Sequence, residues 1–221
     1  MKPLFEGIYT DGKEIYTKNI RPGKKVYGEK LISEQRTEYR AWDAYRSKYA
    51  AAIKNGLSKN IFQHNENVLY LGSAEGTTIS HVSDIIGEGG IVFGIDTSEI
   101  AMMKLVKLAE ERPNILPILS DAQNTQNYAK TLTEASGKVD ALFQDISQRN
   151  QAEIFVKNSQ FLKQHHYAAL VVKTKSISQS KGKEEVLNEE KKILLEEFQI
   201  IQVVNLEPYE KHHYLILVKK K

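Results

Sequence analysis

Apolar and polar positions alternate between residues 5 and 33, and the turn dipeptides Asp11-Gly12 and Pro22-Gly23 interrupt the alternation. A period of two is that of half-buried strands, so a small antiparallel β unit is expected here. The period then lengthens in "AWDAYRSKYAAAIKNG". This stretch predicts a helix capped by Asp43 and closed by Gly56, with Tyr45, Tyr49, Ala52 and Ile53 on one face.

From residue 67 the pattern changes again. Apolar, β-branched runs fall at 67–71, 91–95, 115–119, 139–144 and 167–172. Amphipathic stretches separate them at 77–86, 98–112, 124–136 and 149–164. Alternation of strand and helix means a parallel sheet covered on both faces. Pro117 has no N–H for a central ladder, which places its strand at the sheet edge. A helix near 184–197 precedes two runs, 199–205 and 213–218, joined only by a short turn around Glu207-Pro208-Tyr209. So short a connection makes an antiparallel pair. The expected fold is α/β, with a seven-stranded sheet that ends in an antiparallel hairpin. The expected organisation is a β-rich unit with its connecting helix over 1–56, and the α/β body over 57–221.

Composition narrows the class. No run of the 221 residues approaches a membrane span, no signal peptide stands at the start, and there is no cysteine. Disulfides, thiol catalysis and Cys-ligated zinc are excluded, and a cytoplasmic location is expected. The net charge of +3 is unevenly spread. Residues 1–60 carry 13 Lys/Arg against 7 Asp/Glu, a net of +6, while the remainder nets −3. A basic N-terminal part on a near-neutral body is either a phosphate-facing surface or a solvated lysine-rich face.

Ligands of open parallel sheets bind at the carboxyl ends of the strands. After the first strand comes "VLYLGSAEGTT", in which Gly72 and Gly76 frame a tight turn and Thr77-Thr78 open a helix. Asp96, Asp121 and Asp145 follow the next three strands, and Lys173 ends the fifth. Each acid alone is more often an N-cap of the following helix than a ligand. Together with the glycine turn they favour a nucleoside site. A nicotinamide cofactor calls for G-x-G-x-x-G and a P-loop nucleotide for G-K-[ST]; neither is present. S-adenosylmethionine carries no phosphate, and needs a close-approach turn and an acid for its ribose. The sheet with G-x-x-x-G matches the class I methyltransferase architecture.

The segments "KNIRPGKKVYGEKLI", "EYRAWDAYRSKYAAAI", "VLYLGSAEGTTISHVSDIIGEGGIVFGID", "DISQRNQAEIFVKN" and "LEPYEKHHYLILV" resemble fibrillarin in its archaeal form, over nearly the whole chain. The resemblance implies a class I, Rossmann-like methyltransferase that uses S-adenosyl-L-methionine to methylate the ribose 2′-OH of rRNA and possibly tRNA. It implies work inside a box C/D ribonucleoprotein, with a guide RNA, a Nop-domain scaffold protein and a kink-turn-binding ribosomal-type protein, and no membrane. The family's catalytic set falls on Lys48, Asp145, Lys173 and His213. Its cofactor contacts fall on Gly72, Gly76, Thr77, Thr78, Asp96, Thr97, Asp121, Ala122, Asp145, Ile146, Ser147 and Gln148. No metal is implied. Gln123 stands where the family usually has arginine, and the histidine is doubled, so His212 competes with His213.

Lys173 is then expected to take the proton from the 2′-OH, with Asp145 holding its amine and His213 orienting the set. Two rival functions share the same sheet. One is a stand-alone class I methyltransferase acting on another substrate. The other is a non-catalytic structural subunit of the particle. The chain alone is expected to bind RNA weakly, because a net +6 supplies few phosphate contacts.

Overall fold

The computed structural model describes residues 1–221. In chain order the elements are β1 (Lys2–Phe5), β2 (Ile8–Thr10), β3 (Ile15–Lys18), β4 (Leu31–Glu34), β5 (Thr37–Ala41), α1 (Lys48–Lys54), β6 (Val68–Leu71), α2 (Thr77–Ile86), β7 (Val92–Asp96) and α3 (Glu99–Glu111). They continue with β8 (Ile115–Leu119), α4 (Gln126–Ser136), β9 (Ala141–Gln144), α5 (Gln151–Asn158), β10 (Tyr167–Lys173), the short α6 (Thr174–Ile177), α7 (Lys183–Glu197), β11 (Phe198–Asn205) and β12 (His213–Lys220).

The large sheet has the order β11-β12-β10-β9-β6-β7-β8. Strands β6 to β10 pair in parallel, and β12 inserts antiparallel between β10 and β11. The β8 strand with Pro117 is at the edge, where its missing donor costs no ladder bond. Side chains alternate between two cores. Val68 and Tyr70 join one cluster, under α1, α2 and the N-terminal sheet. Leu69 and Leu71 join the other, under α4, α5 and α7. Alternation with both faces covered explains why these strands read as continuous apolar runs.

The N-terminal sheet is antiparallel, in the order β1-β2-β3-β5-β4. It reaches further than the alternation to residue 33 indicates, because Thr37–Ala41 completes it as β5. Its seam with α2 is charged yet sealed. Arg40 Nε pairs with Glu29 at 2.6 Å and its Nη1 with Asp84 at 2.8 Å, while Arg112 meets the other Asp84 oxygen at 2.7 Å. His81, fully buried, stacks on Trp42 at 4.8 Å and bonds Thr17 Oγ1 and Tyr27 OH, both at 2.7 Å. The Thr17 hydroxyl donates to Asp84, so His81 Nδ1 is assigned as the donor to Thr17.

One local expectation is corrected. The α1 helix starts at Lys48, with Ser47 rather than Asp43 as its N-cap: the Ser47 Oγ accepts from Ala50 N. Asp43 instead accepts from Tyr45 N in a turn, so Tyr45 leaves the helix face and is 67% exposed. The helix expected near 184–197 is α7, and it is not exposed on every side. Glu190, Leu194 and Phe198 are buried against α5 and the sheet.

Candidate active site

The sheet reverses its direction of growth between β6 and β9, whose carboxyl ends lie side by side. Such a reversal opens a crevice. Here it holds a cavity of about 690 Å³. Gly72 sits at its floor with φ +81°, and a Cβ there would stand 2.6 Å from the Asp145 carbonyl oxygen. The glycine therefore lets the end of β9 cross the end of β6. Gly76, with φ +107°, caps α2, and a Cβ there would collide with Leu108.

The three strand-end acids are not helix N-caps; those positions belong to Ser98, Thr125 and Asn150. Asp96 accepts from Ala74 N at 2.8 Å and Ser98 N at 2.9 Å, which shapes the glycine turn. Thr77, Thr78, Asp96, Thr97, Ala122, Asp145, Ile146, Ser147 and Gln148 line the cavity with Gly72. Gly76 and Asp121 stand behind the lining. Asp121 holds Gln148 in place, accepting from its Nε2 at 3.0 Å.

At one end of the cavity two lysines converge on one carboxylate. Lys48 Nζ lies 3.1 Å from Asp145 Oδ2, and Lys173 Nζ lies 2.7 Å from Oδ1. The Lys173 contact is close but poorly aligned as a hydrogen bond, because Lys173 donates instead to the Asp145 carbonyl oxygen and to Ser147 Oγ, both at 3.1 Å. The three groups come from three elements. Tyr49 packs edge-on against Phe143 at 5.4 Å, and this contact sets α1, hence Lys48, against the end of β9. Truncating such a core ring costs about 3–5 kcal/mol, so the register of the trio rests on deep packing.

His213 lies directly opposite Lys173 in the β10–β12 ladder, so both side chains share one face. It stands outside the cavity lining, 3.7 Å from Glu210, which in turn is 3.8 Å from Lys48. Burial, and then the charge of Lys48, hold the His213 imidazole below its usual pKa. His212 has its backbone at φ +64°, and its carbonyl accepts from Thr174. The side chain that reaches the cluster is that of His213.

Three participants escaped the sequence reasoning. Glu210 precedes His213 by three residues, in the hairpin turn. Arg46 lines the cavity from the segment before α1. Gln151, fully buried at the start of α5, ties the site together. Its Oε1 accepts from Lys173 N at 3.0 Å, its Nε2 donates to the Gln148 carbonyl at 2.9 Å, and its carbonyl accepts from Gln144 Nε2 at 2.7 Å. A lone glutamine at a helix start carries no sequence signal of that role.

The lining fits a cationic nucleoside better than a diphosphate. Glu75, Asp96 and Asp145 face the cavity beside Arg46, Lys48 and Lys173; Asp145 engages both lysines, and Lys104 pairs with Glu75 at 2.6 Å, which leaves Asp96 as the acid free of a cation. Carboxylates repel a pyrophosphate, but accept from ribose hydroxyls and attract a sulfonium. Glycine turn, strand order and acid-lined crevice together define a class I S-adenosylmethionine-dependent methyltransferase fold.

Comparison with known proteins narrows this class. The family model described as fibrillarin matches residues 1–221. The fibrillarin-like rRNA/tRNA 2′-O-methyltransferase of Thermococcus sibiricus is 47% identical over 225 residues, covering 99% of this chain and 98% of the relative. The structure of Aeropyrum pernix fibrillarin with natively bound S-adenosyl-L-methionine is 38% identical, with a TM-score of 0.86 over 96% of this chain and 94% of that one. A fibrillarin/Nop5p complex contains a chain that is 35% identical, with a TM-score of 0.89 and full coverage of both chains. The chain belongs to the fibrillarin family.

Proposed function

We propose that this protein transfers the methyl group of S-adenosylmethionine to ribose 2′-hydroxyls of RNA, as the catalytic subunit of a guide ribonucleoprotein with a Nop-domain partner. Family membership over the whole chain and the relatives' methyltransferase function support this activity. The finer assembly rests on the resemblance: a box C/D guide RNA, a kink-turn-binding protein, and rRNA or tRNA targets chosen by base pairing. The observation that carries the chemistry is the Lys48–Asp145–Lys173 cluster at the end of an acid-lined cavity.

S-Adenosylmethionine supplies an electrophilic methyl when bound, and the residues suited to hold it are those of the glycine turn, Asp96 and the Ile146–Gln148 segment. The remaining task is to place a 2′-oxygen and remove its proton. Lys173 Nζ has three oxygens around it: Asp145 Oδ1, the Asp145 carbonyl and Ser147 Oγ. It takes up the 2′-OH proton as it passes one of its own to Asp145 Oδ1, so the proton comes to rest on the carboxylate. Lys48 holds the second carboxylate oxygen and stabilises the negative charge growing on the 2′-oxygen. His213 and Glu210 keep Lys48 in place.

The test is methyl transfer from labelled S-adenosylmethionine in a particle reconstituted with guide RNA and both protein partners. Wild type should modify the guided nucleotide, and Lys173→Ala should abolish transfer while still binding S-adenosylmethionine in calorimetry. Unchanged turnover in Lys173→Ala removes Lys173 from the reaction. Methylation by the isolated chain without a guide would favour the stand-alone enzyme.

A further inference from the structure

A second cavity, of about 500 Å³, lies between the N-terminal sheet and the segment leading into α1. Arg46 lines both this groove and the cofactor cavity, so the two are adjacent. The groove carries Lys13, Lys30, Arg46 and Lys54 against Glu14, Glu29 and Asp43. Glu29 is buried, and its charge is spent on Arg40. Arg46 instead lies over the Tyr27 ring at 5.1 Å. At the rim Tyr45, 67% exposed, meets Tyr209 edge-on at 5.0 Å. These rings belong to the two segments that deliver Lys48 and Glu210–His213 to the catalytic cluster.

We infer that this groove carries the RNA strand as it leaves the catalytic pocket. Lys13, Lys30 and Arg46 meet its phosphates, and the Tyr45–Tyr209 pair takes a base beside the methylated nucleotide. The inference rests on the proposed ribose methylation and specifies where the substrate runs. A cationic track with exposed aromatic faces suits a nucleic-acid strand, because phosphates require charge and every base offers a π-face. Lysines are depleted at protein–protein interfaces, which makes a protein partner the poorer fit to this groove. All four cations of the groove come from the basic first 60 residues.

The experiment uses the full reconstituted particle and a substrate RNA bearing 4-thiouridine on either side of the target nucleotide. Irradiation should cross-link the RNA to peptides containing Tyr45 or Tyr209. The double variant Tyr45→Ala/Tyr209→Ala should raise KM for RNA roughly tenfold or more, the size of one lost base stack, with kcat and S-adenosylmethionine affinity unchanged. Lys13→Ala/Lys30→Ala should lower the slope of log KM against log salt by about 1.4, as for two phosphates of a single strand. Cross-links elsewhere together with a KM within about twofold of wild type overturn the inference, taking the tenfold stack as reference. So does loss of assembly with the scaffold protein, which would make the groove a protein interface. If wild type transfers no methyl, the proposed function fails, while the cross-link still reads the groove by itself.

Discussion

The molecule contains two clusters built from the same chemical parts, and they differ in closure. At the seam, Arg40, Glu29, Asp84 and Arg112 have side chains no more than 2% exposed. Their spare donors are absorbed by Ser80, Ser83 and Asn19. At the catalytic end, Lys48, Asp145 and Lys173 are 20%, 13% and 11% exposed. There, Asp145 Oδ1 and Gln148 Oε1 have no well-formed hydrogen bond. A sealed, satisfied network has nothing left to offer a ligand and serves to join two sheets. A partly exposed cluster, with buried oxygens that lack a well-formed hydrogen bond, leaves a ligand room at its accessible atoms.

Substitutions on either side separate these roles. The largest effect belongs to Lys173→Ala: kcat should fall by about 10²–10⁴, as for loss of a proton-transfer group, with unfolding little changed. Single-turnover methylation and a thermal melt on the same sample check both parts. Asp84→Ala should do the reverse. It strands the buried Arg112 guanidinium, leaves Arg40 with Glu29 alone, and costs about 3–5 kcal/mol of stability, read by urea unfolding, while the folded fraction binds S-adenosylmethionine normally. Impaired cofactor binding with full stability would erase the distinction.

Two further substitutions sharpen it through pH. Burial pushes Glu190 up to about 7, although it accepts a hydrogen bond from Ala152 N at the start of α5, beside Gln151. An acid with a raised folded pKa gives a stability advantage below that value and loses it as pH rises through the window from about 4.5 to 7. Glu190→Gln should therefore stabilise the protein at pH 8 relative to its effect at pH 5, by roughly 1–3 kcal/mol in paired denaturant curves. Burial, and then the charges of Arg40 and Arg112, hold His81 well below its ordinary value. The unfolded chain takes up that proton below about pH 6.5 while the folded chain refuses it. The stability difference between wild type and His81→Gln should then shrink as pH falls from about 7 to 5, by at most about 1.4 kcal/mol per unit. A flat difference would mean that water reaches the seam.

Much of the fold was legible because local patterns and tertiary demands agree. The α2 helix runs over 77–86 as its amphipathic stretch predicts, and the strand of Pro117 takes the edge. Where local and tertiary preferences competed, the pattern misled. Asp43 is a good capping residue on its own, but Ser47 holds that position because its hydroxyl also accepts from Thr78 of α2. Within the candidate site, the strand-end acids and Lys173 were legible because a parallel sheet presents its carboxyl ends on one side. Glu210, Arg46 and Gln151 were not, since each owes its place to a loop or helix start from a distant part of the chain.

The sequence by itself determined the strand–helix order of the α/β body, the edge position of β8, the acids along one rim and the family resemblance, since each follows from local period, residue chemistry or motif. Only the tertiary structure decided which charges are sealed and which are open. The sealed Arg40–Asp84–Arg112 network and the partly open Lys48–Asp145–Lys173 cluster both set two cations on one aspartate. Burial, and the number of partners each oxygen and nitrogen finds, are properties of the packed molecule, because they depend on elements brought together from far apart along the chain.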